Sequence, residues 1–143
     1  MIGWRFWELD DHGQLCSPFA GDVLPHDGRH TALCNLPHQP PHPACRCGIS
    51  FYRHQTDAET VLAKLPERER YAITAGLVIG SVRADNHLSP YRIGGGFHGL
   101  PVSFRCAAYQ VTNIYTTADA LVYTNIPTRP RDDTTTEAMP DLR

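Results

Sequence analysis

The residues best able to do chemistry lie in one short segment, residues 34–48 of the 143-residue chain. The segment contains three thiols and two imidazoles: Cys34, His38, His42, Cys45 and Cys47. Zn²⁺ prefers four tetrahedral sulfur and nitrogen ligands, and only a closely folded loop brings four of them around one ion. The segment therefore predicts a zinc site. A closed site with four protein ligands leaves no open position for water, so the predicted zinc is structural.

Three cysteines are expected ligands, and one histidine must complete the set. Cys45 and Cys47 are separated by one residue, whereas the commoner zinc knuckle separates its cysteines by two. His42 has a proline on either side, which limits how it folds back toward Cys45. His30 is a more distant alternative. The predicted ligands are Cys34, His38, Cys45 and Cys47. An iron–sulfur cluster held by three cysteines and one histidine is the alternative cofactor.

The loop that carries these residues is rich in proline. Residues 25–48 show no helical or strand periodicity and include Pro25, Pro37, Pro40, Pro41 and Pro43. Proline removes a backbone donor and fixes φ, so neither a helix nor a central strand is expected there. A loop of this length in a compact domain needs support other than a core, which the metal supplies.

The rest of the chain predicts a small α+β domain built on an antiparallel β-sheet with one or two short helices. The predicted elements are strands at 4–9, 14–16, 22–24, 71–82 and 100–115, and helices at 56–65 and 117–121. Thr56 and Glu59 match a capping box, and Pro66 is expected to end that helix. The folded domain is predicted to span residues 1–127. The polar residues 128–143 are predicted to form a disordered tail.

Composition limits the functional classes. The net charge of −2 argues against a protein that binds DNA or anionic lipid mainly through bulk charge. No apolar run reaches the ~18 residues of a membrane span. The first residues show neither the basic nor the apolar region of a signal peptide. Three clustered thiols suit a metal site in a reducing compartment, so we expect a cytoplasmic protein.

Other candidate sites are weaker. Gly94-Gly95-Gly96 lacks the Lys-Ser/Thr of a phosphate loop and predicts a flexible connection. Cys106 lies in an apolar strand, where a buried inert thiol is expected rather than a nucleophile paired with His98. Arg105, in the middle of the same strand, must pair with a carboxylate, lie on an exposed face or bind a ligand, so it is a candidate binding residue.

Aromatic and arginine residues near the cluster are candidates for binding nucleic acid. The set comprises Trp4, Trp7, Phe51, Tyr52, Arg5, Arg46 and Arg53. Such rings can stack on bases beside arginine. Core packing is the competing explanation, and it accounts for most of these aromatic side chains.

Several motifs resemble a group of small uncharacterised proteins of actinobacteria and their phages. They are Gly3-Trp4-Arg5-Phe6-Trp7, the Cys34, His38, Pro41, Cys45-Arg46-Cys47-Gly48-Ile49 segment, the strand Gly76-Leu77-Val78-Ile79-Gly80-Ser81-Val82, and Phe104-Arg105-Cys106. The resemblance covers about residues 3–127. It implies His38 as the fourth ligand, because the group's histidine stands three residues before a proline matching Pro41. The chain departs at Ser50-Phe51, where the group usually has Tyr-Ala, and the resemblance implies no function.

The sequence therefore predicts a non-enzymatic, zinc-stabilised module that binds a protein partner. We expect the module to be a regulatory or phage-encoded factor. An RNA or single-stranded DNA binding module is one alternative. A metal- or thiol-dependent enzyme is another, although no nucleophile motif or cofactor fingerprint supports it.

Overall fold

The computed structural model describes residues 1–18, 21–43, 45, 47–84, 101–118 and 120–131. In chain order the elements are β1 (Ile2–Leu9), β2 (Leu15–Cys16), β3 (Arg29–Thr31), β4 (Ile49–Phe51), α1 (Gln55–Leu62), a 3₁₀ turn (Arg68–Arg70), β5 (Tyr71–Ala84), β6 (Phe104–Thr116) and β7 (Thr128–Pro130). They form one mainly antiparallel sheet with one α-helix among the described residues. The predicted α+β class is confirmed.

The sheet runs in the order β2-β1-β5-β6-β3, and β4 and β7 also pair with β6. β5 and β6, which correspond to the two longest predicted strands, form a long antiparallel pairing. Tyr52, directly after β4, exchanges backbone hydrogen bonds of 2.8 and 2.6 Å with Trp4 of β1. Because β4 pairs with β6, this bridge joins the far side of the sheet to β1. The sheet is therefore curled until two of its edges meet.

Alternation along β1 divides the core between the two faces of the sheet. Trp7 belongs to the larger cluster, which also contains Leu15, Leu24, Ile49, Phe51, Tyr109, Ile114 and Tyr123. Phe6 points to the opposite face, where α1 packs through Ala58, Val61 and Leu62. Each fully buried large apolar side chain contributes roughly 1.5–3 kcal/mol to stability. Most of this core lies outside the cysteine loop. The sheet therefore has a hydrophobic core that does not depend on the loop.

The helix starts earlier than the capping box predicts. The backbone N–H groups of Asp57 and Ala58 both donate to the carbonyl of His54, which fixes His54 as the N-cap. Thr56 therefore lies inside the first turn, and the predicted capping box is wrong. The helix does end before Pro66, as predicted.

The second predicted helix is absent from the described residues around position 119. Tertiary contacts explain the difference: the Val122 N–H donates to Gly13 O, and the buried Tyr123 hydroxyl donates to Leu24 O. These bonds hold the segment in an irregular path across the core, which outweighs its local helical preference.

The predicted tail boundary at residue 128 is also wrong. Residues Thr128–Pro130 form β7, which pairs in parallel with Ile114–Thr116 of β6, and Arg131 is buried. A strand that pairs through its backbone at a sheet edge needs no apolar side chains, so the polar composition of the segment was misleading. Residues 132–143 and Gly94-Gly95-Gly96 lie outside the described residues.

Candidate metal centre

Two short strands hold the ends of the cysteine loop on one edge of β6. Thr31 of β3 is paired with Ala108, and Ile49 of β4 is paired with Cys106. These positions on β6 are two residues apart, so the two ends of the loop are roughly 7 Å apart. Residues 32–48 therefore leave the sheet and return to nearly the same point. β3 itself is an edge strand inside the region predicted to be loop, which agrees with the expectation that no central strand forms there.

The four predicted ligand residues meet inside this loop. The ligand atoms of Cys34, His38, Cys45 and Cys47 all lie within 4.8 Å of one another. The Cys34 Sγ is 3.3 Å from His38 Nε2 and 3.7 Å from Cys45 Sγ. The Cys47 Sγ is 3.3 Å from the same His38 nitrogen. This tetrad could hold a metal ion.

These distances match the edges of a coordination tetrahedron. With metal–sulfur bonds of about 2.3 Å and a metal–nitrogen bond of about 2.0–2.1 Å, adjacent sulfurs lie about 3.8 Å apart and sulfur and nitrogen about 3.6 Å apart. The sulfur–sulfur distance of 3.7 Å fits, and the sulfur–nitrogen distances of 3.3 Å are slightly shorter. Three thiols and one imidazole are also donors suited to a soft or borderline cation.

His42 lies beside the tetrad rather than in it. Its ring stacks on that of His38, with centroids 4.2 Å apart and an interplanar angle of 20°. The stack buries one face of the His38 ring and restricts its orientation. His30, the distant alternative, instead packs edge-on against Trp7 and is not among the four residues whose ligand atoms converge.

Arg105 contacts the backbone of the tetrad. Its side chain is only 4% exposed, and Nη1 donates to the carbonyl of Cys45 and, at 2.9 Å, to that of Cys47. Among the described residues no carboxylate lies within ion-pair distance of it. The expectation of an exposed face is therefore wrong, and the described partners of Arg105 are backbone carbonyls. The guanidinium instead fixes the backbone of two of the three cysteines.

Gly48 closes the loop in a conformation that other residues rarely adopt. Its φ is +113°, and a Cβ at this position would lie 3.1 Å from the Cβ atoms of both Pro41 and Arg105. The close approach lets the chain turn from Cys47 directly into β4.

The thiols outside the tetrad show no sign of activation. Burial raises the pKa of the Cys106 thiol to about 11, and its Sγ donates to two backbone carbonyls, as expected for an inert core cysteine. Burial, followed by the nearby Asp10 and Glu8 carboxylates, raises the pKa of Cys16. Within the tetrad, burial raises the pKa of Cys47, so a bound cation is needed to favour its thiolate.

The aromatic set near the cluster belongs mainly to the core. Trp7, Phe51 and Tyr52 are buried, and only Trp4 is partly exposed. Arg53 stacks over the Phe104 ring at 4.3 Å. Core packing therefore explains three of these four rings.

Comparisons with protein families, with curated proteins and with solved structures give no match for this chain. Among the described residues, no helix is long and apolar enough to cross a membrane. The evidence for function therefore lies in the site itself.

Proposed function

We propose that the chain is a non-enzymatic, zinc-stabilised module, in which Zn²⁺ on Cys34, His38, Cys45 and Cys47 holds the proline-rich loop against β6. The observation that carries the proposal is the set of ligand distances of 3.3–3.7 Å, which fit a single ion. An iron–sulfur cluster distributes its ligands over several irons and needs a wider spread of sulfur atoms. Four protein ligands leave no position for water, which supports a structural role.

Metal content tests this proposal directly. The purified protein should contain about one equivalent of zinc by elemental analysis. Cobalt substitution should give the visible absorption of a tetrahedral cobalt–thiolate centre. Cys45→Ser should lose both signals, whereas Cys16→Ser, which changes a half-buried thiol outside the tetrad, should keep both. A wild-type protein that is fully folded, colourless and metal-free would overturn the proposal.

A pair of histidine variants tests the fourth ligand. His38→Ala removes the nitrogen that lies 3.3 Å from two cysteine sulfurs, so zinc binding should be lost or strongly weakened. His42→Ala removes only the ring that stacks on His38, so the zinc should be retained with modestly reduced affinity. The reverse order of effects would identify His42 as the ligand.

We further propose that the zinc loop binds a protein partner. The supporting observation is that Leu33 is 89% exposed and Leu36 is 56% exposed, on either side of the ligand Cys34. Ordered apolar side chains exposed together are typical of interaction sites. We also propose the cytoplasm as its location, because clustered thiols are typical of metal sites in reducing compartments. The resemblance to small actinobacterial and actinophage proteins stays a prediction about its source.

A pull-down with matched variants tests partner binding. The double variant Leu33→Ser/Leu36→Ser should keep its zinc, because neither side chain is a ligand, but should lose the partner captured by wild-type protein. Cys45→Ser should lose both. Capture that is unchanged by the double variant would contradict binding through this loop. Neither nucleic-acid binding nor catalysis has a comparable supporting observation among the described residues.

A further inference from the structure

A cleft of about 560 Å³ opens next to the metal centre, between β1, β3, β4 and the segment after β2. Cys47 and Gly48 form one end of it. Its polar lining includes Arg5, Ser17, Asp22, Arg29, His30 and Ser50. Its apolar lining includes Val23, Pro25, Ala32, Leu33 and Ile49. Concave sites that combine apolar surface with converging polar groups are typical of ligand pockets, and polar and apolar residues line this cleft in similar numbers.

Arg5 is an unusual residue to find in this wall. Its side chain is only 5% exposed, and it projects from the middle of β1. Nη1 donates to Ser50 O at 2.7 Å, and Nη2 donates to Ser17 Oγ at 3.1 Å. The guanidinium carbon also lies 4.1 Å from the centre of the Trp7 ring. These contacts hold the guanidinium in one place on the cleft wall.

The charge of Arg5 is not neutralised within the described residues. No carboxylate there lies within ion-pair distance of it, and its buried Nε–H has no hydrogen-bond partner. Burial lowers the pKa of Arg5 to about 10, so the group is still charged at neutral pH. A buried cation without an anion is costly, and a ligand that supplied the anion would remove that cost.

The other charges of the cleft select the kind of anion. Asp22 is close enough to interact with both Arg5 and His30, so a doubly charged phosphate would be repelled more strongly than a single carboxylate. Burial, and then the charge of Arg5, lowers the pKa of His30 to about 4, so the imidazole is neutral at pH 7. The second cation of the lining is Arg29, and Asp22 offsets one of the two arginine charges, so the lining keeps one net positive charge. The apolar wall formed by Val23 and Leu33 suits an apolar body on the ligand.

We propose that this cleft binds a monocarboxylate with a short apolar body, whose carboxylate is recognised by the Arg5 guanidinium. The planar guanidinium fork matches the two oxygens of a carboxylate. The ligand is either a free short-chain acid or the C-terminal carboxylate of a peptide, since both present the same group. This site adjoins the exposed leucine surface proposed for a protein partner: Leu33 belongs to both, and Leu36 does not line the cleft.

The Trp7 indole provides a reporter for a titration followed by ¹⁵N–¹H NMR. Its N–H donates to Thr74 Oγ1 at 2.9 Å, and its ring lies under Arg5, so occupancy of the cleft should shift this signal. The Trp4 indole, which packs near Tyr115 and does not line the cleft, is the internal control. Hexanoate should shift the Trp7 signal saturably. Hexanamide and inorganic phosphate should leave it unchanged.

A second pair of probes distinguishes the two sources of the carboxylate. N-acetyl-leucine mimics a peptide C-terminus, and N-acetyl-leucinamide is its neutral control. Tighter binding of N-acetyl-leucine than of hexanoate supports a peptide terminus, and the opposite order supports a free acid. Equal shifts with each acid and its amide, or no saturable shift with either acid, would overturn the proposal.

Two variants test whether the carboxylate binds in this cleft. Arg5→Lys keeps the positive charge but loses the fork, so affinity for hexanoate should fall roughly tenfold or more. Val23→Phe fills the cleft at a residue that is 44% exposed, so it should block binding without touching the buried contacts of Arg5. Zinc content and thermal unfolding establish that both variants are folded. Hexanoate affinity unchanged in the folded Val23→Phe variant would contradict this location.

Discussion

At the scale of single residues, the metal ligands could be predicted from the sequence, but the residues that hold those ligands in place could not. The type and the close spacing of Cys34, Cys45 and Cys47 indicate a metal site. Arg105 is also conspicuous in the sequence, as a cation in the middle of an apolar strand. Its acceptors, however, are backbone carbonyls about 60 residues earlier in the chain, and a carbonyl has no side-chain signature. Only the folded arrangement of β6 and the loop reveals the contact.

Arg105 should contribute to zinc affinity without being a ligand. Three thiolates and a neutral imidazole around Zn²⁺ leave one negative charge in excess, which the buried guanidinium of Arg105 can offset while it fixes two ligand carbonyls. Arg105→Gln should weaken zinc binding about 10- to 100-fold, measured by competition with a chromophoric chelator. Arg53→Gln is the matched control, because Arg53 stacks on Phe104 and does not contact the tetrad. Equal affinities for the two variants would contradict this role.

Gly48→Ala should destabilise the protein through backbone strain and crowding together. The positive φ alone costs about 1–3 kcal/mol for a residue with a side chain, and the added Cβ would also press on Pro41 and Arg105. Gly21→Ala is the matched control, since Gly21 has φ +76° and nothing within 4 Å of its Cβ position. In denaturant unfolding the loss of stability should be larger for Gly48→Ala than for Gly21→Ala. Equal losses would show that crowding at Gly48 is unimportant.

At the scale of elements, long apolar strands were predictable and short edge strands were not. β5 and β6 are long and rich in apolar and aromatic residues, and both were predicted within a few residues of their observed bounds. β3 and β7 are three residues each, and they form because an edge of β6 offers backbone partners. The predicted helix at 117–121 failed for a related reason, since tertiary bonds from Tyr123 and Val122 outweigh local preference.

The docking of β3 should be sensitive to acid through His30. Its ring packs edge-on against Trp7, and burial, followed by Arg5, lowers its pKa from 6.5 to about 4. The unfolded chain therefore binds a proton between about pH 6.5 and pH 4 that the folded chain does not, so stability falls as the pH falls through this window. Because the His30 ring is only partly buried, solvent screens part of this effect, and the loss of stability should be about 1–2 kcal/mol.

The variant His30→Phe isolates this contribution. It keeps an aromatic edge against Trp7 and cannot titrate, while its metal ligands are the same as in the wild type. The difference in unfolding free energy between the two proteins should therefore change between pH 7 and pH 4, measured by urea titration at fixed zinc. Parallel curves across this range would show that His30 is not protonated on unfolding.

At the scale of the whole molecule, the hydrophobic core stabilises the sheet and the metal centre stabilises the cysteine loop. The fold class followed from the alternation of strands and one helix, but the closure of the sheet through Trp4 and Tyr52 did not. That pairing joins residues 48 positions apart and has no local signal in either segment. The two core clusters lie on the faces of β1, β5 and β6, whereas the described residues of the loop at 32–48 add only the partly buried Ala32 to them.

Removal of the metal should therefore unfold the loop and leave the sheet. With a chelator present, hydrogen exchange should accelerate at the amides of His38 and Cys45, which donate to Leu36 O and His42 O inside the loop. The amides that join β5 to β6 should stay protected, because their pairing and the cores beside it contain no metal ligand. The amide of Ala32, which donates to Ala107 O, marks the boundary between these two regions. Uniform loss of protection in β5, β6 and the loop would instead show that the metal and the sheet fold as one unit.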